Sequence, residues 1–212
     1  MDDLVTIVIP SKGEDPFYAA EVEAKAGCDV ITVFNRGYGE AIKWGVRRAR
    51  TKYILTMDAD GQHTLEEAER LYAAFKIAGC DMMIGERRVK DRNIIRRSAS
   101  LFFNVLASLF AGRWVVDLNS GMRIFRRDLA NSYRPILCDG FNYTTSSCLA
   151  FLSDGYKVEW FPINVKERQS GKSHVRWSRD GLVTLHYILR IGLALRTRKL
   201  RAWIRNFLSV FR

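Results

Sequence analysis

The sequence predicts an α/β fold with a mixed, mainly parallel β-sheet and flanking helices. Short runs of β-branched and other apolar residues alternate with segments whose apolar side chains recur at helical spacing. The strand-like runs are continuously apolar, as in parallel strands covered on both faces. With 212 residues and 48% hydrophobic composition, the chain can bury a substantial core in one large domain.

Apolar runs, helix caps and the positions of proline and glycine predict the individual strands and helices. Thr64, followed by Glu66 and Glu67, predicts an N-capped helix with an acidic first turn, and Gly79 predicts its end. Strands are expected over residues 5–9 (closed by Pro10), 30–34, 53–57, 81–84, 117–127 (a turn and a strand) and 157–165 (interrupted by Pro162). Further helices are expected over residues 40–50, 93–111 and 146–153.

Charge and cysteine content restrict the partners and the compartment. The net charge is +11, and residues 160–212 hold twelve Lys and Arg against two acidic residues. This distribution predicts an anionic partner at the C-terminal end: a phospholipid surface, a phosphorylated ligand or nucleic acid. The four cysteines are widely separated, which argues against a zinc site or a disulfide scaffold. No signal peptide is evident, and neither 101–112 nor 182–195 is long and apolar enough to span a bilayer.

The segment TMDADGQH, residues 56–63, places two carboxylates directly after a predicted buried strand. Ligands of open α/β sheets bind at the carboxyl ends of strands, and strand alternation points Asp58 and Asp60 the same way. Neighbouring carboxylates repel unless a cation lies between them, and oxygen ligands favour Mg²⁺ or Mn²⁺. A surface turn with an Asx cap is the alternative, and His63 is expected to be a loop residue rather than a ligand.

Two other predicted strand ends carry residues that could bind a ligand at the same edge of the sheet. PSKGE, residues 10–14, ends the first strand, and NRGYGEA, residues 35–41, ends the second and opens a helix. Gly37 and Gly39 would let a ligand approach the helix N-terminus closely, or they could be ordinary turn residues. Polar groups from three strand ends therefore predict one binding site.

The motifs together resemble the inverting family 2 glycosyltransferases of the GT-A fold, in particular the dolichyl- and polyprenyl-phosphate sugar synthases such as dolichol-phosphate mannose synthases. The similarity covers roughly residues 4–175, in the stretches VTIVIPSKGE, NRGYGEAIKWG, YILTMDADGQH, IIRRSASLFFN, DLNSGMRIFRR and VKERQSGKSHV. It implies a metal-dependent, inverting transfer of a sugar from a nucleotide-sugar donor to a polyprenyl phosphate.

The resemblance also implies roles for individual residues. Asp58, Asp60 and Gln62 match the metal and donor-diphosphate motif, with Asp60 counted as catalytic. The residues implied in binding the donor nucleotide are Pro10, Glu14, Gly37, Gly39 and Asp58. The residues implied in binding the acceptor phosphate are Arg87, Arg96 and Ser100. A basic loop with Arg168 and Lys172 is implied in catalysis. An arginine cluster suits a phosphomonoester, and a phosphate nucleophile needs no catalytic base.

The chain departs from the family pattern in two places. About twenty residues separate PSKGE from NRGYG, where relatives ordinarily have a helix and a strand ending in an acidic DDGS-like motif, and this motif is absent. The N-terminal half is therefore expected to be shortened. Residues 141–148 also lack the acid that many relatives carry there, which fits a phosphate acceptor but is equally compatible with altered activity.

The C-terminal segment is expected to lie on a membrane. Leu200, Trp203, Ile204, Phe207, Leu208 and Phe211 form an apolar helical stripe, and Arg198, Arg201, Arg205 and Arg212 fall outside it. This composition is typical of an interfacial helix, although a helix packed on the core or on a partner subunit has the same pattern. We therefore predict a GT-A catalytic domain over residues 1–172 and an amphipathic membrane-interface region over 173–212.

The predicted location is the cytoplasmic face of a membrane, as a peripheral protein with a possible membrane-embedded partner subunit. Three alternatives stay open at this stage. They are a transferase of the same fold with a glycan hydroxyl acceptor, a non-catalytic nucleic-acid binder, and a degenerate transferase retained as a subunit. The bulky apolar stripe disfavours nucleic acid, because surfaces that follow phosphates rarely need one.

Overall fold

The structure, a computed structural model, describes residues 4–11, 16–87, 94–166 and 182–193. Twelve elements follow in the order β1 Val5–Ser11, α1 Pro16–Lys25, β2 Asp29–Phe34, α2 Tyr38–Arg48, β3 Tyr53–Thr56, α3 Leu65–Ala78, β4 Met82–Arg87, α4 Ile94–Ala111, β5 Arg123–Arg126, α5 Arg127–Tyr133, α6 Tyr143–Ser153 and β6 Val158–Ile163. A further helix, α7, covers residues 182–193. Glu14, Arg168, Lys172 and the stripe of residues 198–212 lie outside the described residues.

One six-stranded sheet of order β2-β1-β3-β5-β4-β6 organises the domain. The pairs β1–β2, β1–β3 and β4–β6 are parallel, whereas β5 runs antiparallel between β3 and β4. The predicted mixed, mainly parallel sheet is therefore confirmed. The carboxyl ends of β1, β3 and β4 lie at one edge, where the start of β5 joins them.

Local sequence signals set several of the boundaries as predicted. Thr64 caps α3 by accepting a hydrogen bond at its hydroxyl from the Glu67 backbone N–H at 3.3 Å. Gly79 ends this helix in the left-handed conformation, with φ of 55°. This is a conformation that glycine adopts without a steric penalty.

Three details differ from the sequence predictions. Helix α1 was not predicted, and together with β2 it fills the short segment after β1, so a helix and a strand do fit there. β2 ends at Phe34, and no acidic motif follows it, as the sequence predicted. Pro10 does not close β1, which continues to Ser11, and Pro162 does not interrupt β6. Proline is tolerated in β6 because this strand lies at the sheet edge.

The sheet separates two apolar layers. On one face, α2, α5 and α6 contribute to a cluster that includes Val8, Ile54 and Phe125. On the other face, α1 and α3 pack around Ile7 and Leu55. Neighbouring β1 residues thus serve opposite layers, which explains why this strand is continuously apolar.

Helices α4 and α7 pack together and expose apolar side chains. A Cβ added at Gly192 would lie 2.6 Å from Cγ of Phe110, so glycine permits this close contact. Thr184 donates a 2.7 Å hydrogen bond to Asn142 at the start of α6 and anchors α7. The exposed apolar face consists of Leu101, Phe102, Val105, Leu109, Leu182, Val183, Leu189 and Leu193. Across the described stretches, no helix has the length and apolarity required to cross a bilayer.

Candidate functional site

The turn that follows β3 carries the two predicted carboxylates. Thr56 ends β3 and donates a 2.6 Å hydrogen bond from its hydroxyl to the Gly121 carbonyl. Gly61 has a φ of 76°, and the Gln62 backbone N–H donates to Oδ1 of Asp60 at 3.0 Å. Asp60 is only 6% exposed, so this turn holds a carboxylate inward rather than presenting it to solvent.

His63 lies inside this turn, 2% exposed, and connects its two ends. Nδ1 of His63 accepts a 3.1 Å hydrogen bond from the Asp58 backbone N–H, and the His63 carbonyl accepts one from the Tyr18 hydroxyl. Burial lowers the pKa of His63, and the charges of Asp58 and Asp60 offset this only in part. The ring is therefore neutral with its proton on Nε2, so its 3.9 Å approach to Oδ2 of Asp58 is not an ion pair.

Asp58 has a carboxylate oxygen that no hydrogen-bond donor satisfies. Oδ1 is buried and lacks a partner within the described part of the chain. Gly121 forms the wall on which the carboxylate lies, since a Cβ there would be 2.6 Å from Cγ of Asp58. A buried carboxylate oxygen without a donor is costly in the absence of a cation, so this arrangement fits a bound metal ion.

The charges of both carboxylates act on Tyr18, and the charge of Asp58 also acts on Tyr38. Burial, followed by the charges of Asp60 and Asp58, raises the pKa of Tyr18 well above its ordinary value. Burial and then the charge of Asp58 also raise the pKa of Tyr38. The described residues contain no group of three or more His, Cys, Asp or Glu side chains arranged as a metal site. The candidate oxygen ligands are thus the carboxylates of Asp58 and Asp60 and the side chain of Gln62, whose Nε2 donates to the Lys166 carbonyl at 3.4 Å.

Arg87, at the end of β4, forms a bidentate pair with Asp117. Its Nε and Nη2 each donate to a different carboxylate oxygen at 2.9 Å, and its backbone N–H donates at 3.3 Å. Burial alone would lower the pKa of Arg87, but the charge and hydrogen bonds of Asp117 raise it. Burial likewise opposes ionisation of Asp117, and Arg87 outweighs it, so the pKa of Asp117 is lowered.

The loop that carries Asp117 is attached to α4 by two polar residues. Asn104 donates from Nδ2 to the Val116 carbonyl and accepts from the Leu118 backbone N–H at 3.4 Å. Ser108 accepts from the Val115 backbone N–H at 2.9 Å. Asn104 and Ser108 therefore hold the loop that brings Asp117 to Arg87.

Arg123, the first residue of β5, is fully buried and connects the loop before this strand to the start of α6. Its guanidinium donates to the carbonyls of Ser120, Leu118 and Thr144 and to the Ser147 hydroxyl, with the Thr144 bond at 2.8 Å. Burial lowers its pKa. Neutral acceptors surround the charge, so its role is to hold Gly121 and the start of α6 in place.

Gly37 and Gly39 lie at the start of α2 against the backbone of residues 138–140. A Cβ at Gly39 would lie 2.9 Å from the Gly140 carbonyl oxygen, and the Glu40 backbone N–H donates to the Asp139 carbonyl at 2.9 Å. A Cβ at Gly37 would lie 3.0 Å from the Asp139 carbonyl oxygen. The structure thus gives these glycines a packing role within the chain, and their role in donor binding stays a prediction.

The structure brings together Asp58, Asp60, Gln62 and, at the end of β4, Arg87. Pro10 is buried in β1. Arg96 and Ser100 lie in α4, but their side chains are outside the described set. The roles predicted for all of these residues stay predictions.

Four residues that shape the site had no role predicted from the sequence. They are His63, Asp117, Gly121 and Arg123. The last three fall in DLNSGMR, a stretch matched to the family without a function for its members. Gly121 and Arg123, just before the buried residues Ile124 and Phe125, were a detectable signal, but Asp58 and Thr144, which they contact, are remote in sequence.

Two named bacterial relatives match about three quarters of this chain. The chain is 28% identical over 172 residues to an undecaprenyl-phosphate mannosyltransferase of Micrococcus luteus, with 78% of this chain and 69% of the relative covered. It is 30% identical over 174 residues to a polyprenol monophosphomannose synthase of Mycolicibacterium smegmatis, with 75% of this chain and 65% of the relative covered. The chain thus spans about two thirds of the length of these relatives.

Solved structures and a family profile complete the comparison. Structures of glucosyl-3-phosphoglycerate synthase from Mycobacterium tuberculosis, in complex with UDP and Mn²⁺ or Mg²⁺, match at TM-scores of 0.66 and 0.67 and 13% identity. They cover 88% of this chain and 78% and 79% of theirs, and this likeness confirms the GT-A fold. The profile of glycosyl transferase family 2 matches residues 19–134, more than half of the sequence. The chain therefore belongs to glycosyl transferase family 2.

Proposed function

We propose that this chain is an inverting, divalent-cation-dependent glycosyltransferase that moves a sugar from a nucleotide-sugar donor to a polyprenyl phosphate at the cytoplasmic face of a membrane. The buried, unsatisfied Oδ1 of Asp58 beside Asp60 is the observation that carries the proposal. The names of the two bacterial relatives support this class of acceptor. One name refers to undecaprenyl phosphate and the other to polyprenol monophosphomannose.

Asp58, Asp60 and Gln62 would hold the cation. A bound Mg²⁺ or Mn²⁺ would neutralise charge on the departing nucleoside diphosphate. The protein contributes a fixed geometry: the Gln62 backbone N–H holds one oxygen of Asp60, and His63 holds the backbone of Asp58. Because these contacts exist before a ligand binds, the carboxylates need little reorganisation to receive a cation.

Arg87 is suited to receive the acceptor phosphate. Its bidentate bonds to Asp117 fix the plane of the guanidinium, and 41% of the side chain is exposed. A guanidinium keeps its charge at any physiological pH and matches phosphate geometry. Asp117 accepts from Arg87 through both oxygens, which makes it a poor general base. A phosphate nucleophile is already anionic and needs none.

The exposed face of α4 and α7 supports a membrane location. Leu101, Leu109, Leu182 and Leu193 are 54%, 66%, 71% and 63% exposed, and they belong to two helices that pack together. Apolar side chains clustered on neighbouring helices are suited to the boundary between headgroups and acyl chains. The basic residues beyond α6 would add attraction to an anionic leaflet.

A lipid-acceptor assay tests the proposal. Full-length protein is incubated with radiolabelled nucleotide sugars, Mn²⁺ and polyprenyl phosphate, and the product is extracted into organic solvent. We expect an acid-labile, solvent-extractable product from wild type, its loss in Asp60→Ala, and its retention in the control Glu66→Ala. Glu66 is an exposed carboxylate on the first turn of α3, so its removal changes charge without touching the turn.

The same assay separates the acceptor classes. A product that stays in the aqueous phase and resists mild acid would contradict a lipid-phosphate acceptor and favour a glycan hydroxyl. Equal activity in Asp60→Ala would reject the metal role. Vesicle flotation with anionic and neutral lipid, run in parallel, reports membrane binding independently of turnover.

A further inference from the structure

The segment that follows β6 is bonded to the turn that holds the two carboxylates. Lys166 donates from its backbone N–H to the Gln62 carbonyl at 3.0 Å, and its own carbonyl accepts from Nε2 of Gln62 at 3.4 Å. The Gln62 backbone N–H is in turn bonded to Oδ1 of Asp60 at 3.0 Å. Lys166 therefore holds Gln62 at two points. The bond from Nε2 also sets the rotation of the amide, whose Oε1 is its only atom able to ligate a cation.

Residues 164–166 lie beyond the end of an edge strand. β6 ends at Ile163 and is the last strand in the sheet order, and Asn164 and Lys166 are exposed. Val165 packs against the apolar layer on the side of α1 and α3. An exposed segment with one partly buried side chain depends on its polar contacts to keep a single position. The orientation of Gln62 thus depends on what fixes these three residues.

Glu67 supplies a polar contact that fixes them. It lies in the first turn of α3, is 7% exposed, and accepts at Oε1 from Nδ2 of Asn164 at 3.1 Å. The same oxygen accepts from Nη1 of Arg70 at 2.6 Å, and Arg70 lies over the Phe161 ring of β6 at 5.5 Å. The first turn of α3 is therefore joined to β6 and to the residue that follows it.

The burial of the Glu67 carboxylate needs a reason beyond helix stability. Its Oε2 is buried without a hydrogen-bond partner among the described residues, which costs stability. A negative charge favours the first turn of a helix, but the exposed Glu66 beside it already supplies one. We propose that Glu67 is a positioning residue for the cation site, and that its bond to Asn164 keeps Gln62 in the orientation of a cation ligand. This inference rests on the proposed function in taking Gln62 as a ligand.

Amide hydrogen exchange of the metal-free protein tests the tether. Glu67→Ala removes the acceptor for Asn164, so the backbone N–H of Lys166 should exchange about five- to tenfold faster. Glu67→Gln keeps an acceptor at Oε1 and should restore most of the protection. The matched control, Glu66→Ala, removes an exposed carboxylate from the same helical turn and should leave the exchange unchanged. Wild-type protection of Lys166 in Glu67→Ala would overturn the proposal and leave the proposed function standing.

Mn²⁺ binding, followed by electron paramagnetic resonance, tests the consequence for the cation site. Gln62→Ala and Glu67→Ala should each weaken binding. The double variant should bind no more weakly than Gln62→Ala alone, because Glu67 acts through Gln62. Losses that add in the double variant, or wild-type affinity in Glu67→Ala, would overturn the positioning role. A wild-type protein that binds no Mn²⁺ would instead contradict the cation site of the proposed function, and this inference with it.

Discussion

Replacing Gly121 with alanine should damage the cation site more than the fold. The added Cβ would lie 2.6 Å from Cγ of Asp58, whereas carbon atoms in contact are optimally about 3.5–4.0 Å apart. The carboxylate must therefore shift by roughly 1 Å, while His63 continues to hold the Asp58 backbone. A displacement of about 1 Å at a reacting centre can cost on the order of 100-fold in rate, and overpacking typically costs about 1–3 kcal/mol in stability.

A second glycine variant supplies the matched control. Gly112 has a φ of 71°, and no atom lies within 4 Å of a Cβ placed there. Gly112→Ala should lose about 1–2 kcal/mol of stability through backbone strain and leave the site unchanged. Mn²⁺ binding followed by electron paramagnetic resonance, thermal unfolding and turnover are measured for both variants. If Gly121→Ala bound Mn²⁺ as tightly as wild type, the inference that Gly121 leaves space for the Asp58 carboxylate would be refuted.

Three further predictions follow from the geometry. His63→Asn, which keeps an acceptor for the Asp58 N–H, should retain more Mn²⁺ affinity and turnover than His63→Ala; equal loss in both would argue against this hydrogen bond. The pKa of Asp117 is lowered by Arg87, so the pair stabilises the fold above the ordinary carboxyl pKa and loses this contribution as pH falls through the lowered value. Chemical unfolding across pH 2–6 should therefore show a weaker acid dependence in Asp117→Asn. Arg123→Met should lower the melting temperature markedly, because five hydrogen bonds to buried acceptors are lost; a wild-type melting curve would contradict its structural role.

Local patterns explain which elements were predictable. β1, β3 and α3 follow from continuous apolar runs and from the Thr64 and Gly79 caps, which act over a few residues. Helix α1 escaped prediction because it is short and weakly amphipathic, and the side chains that it buries, among those that the structure describes, are the small ones of Ala19 and Val22, although Pro16 at its first position is a typical start signal.

The sequence by itself determined the α/β alternation, the family motifs and the placement of Asp58 and Asp60 after a strand. Only the tertiary structure decided that β5 enters the sheet antiparallel, that Gly121 supports Asp58, and that Asp117 fixes Arg87. The periodicity of apolar residues and the helix caps depend only on residues that are close together in the sequence. The contacts that complete this site join residues 30 to 63 positions apart, and their geometry exists only once the sheet has assembled.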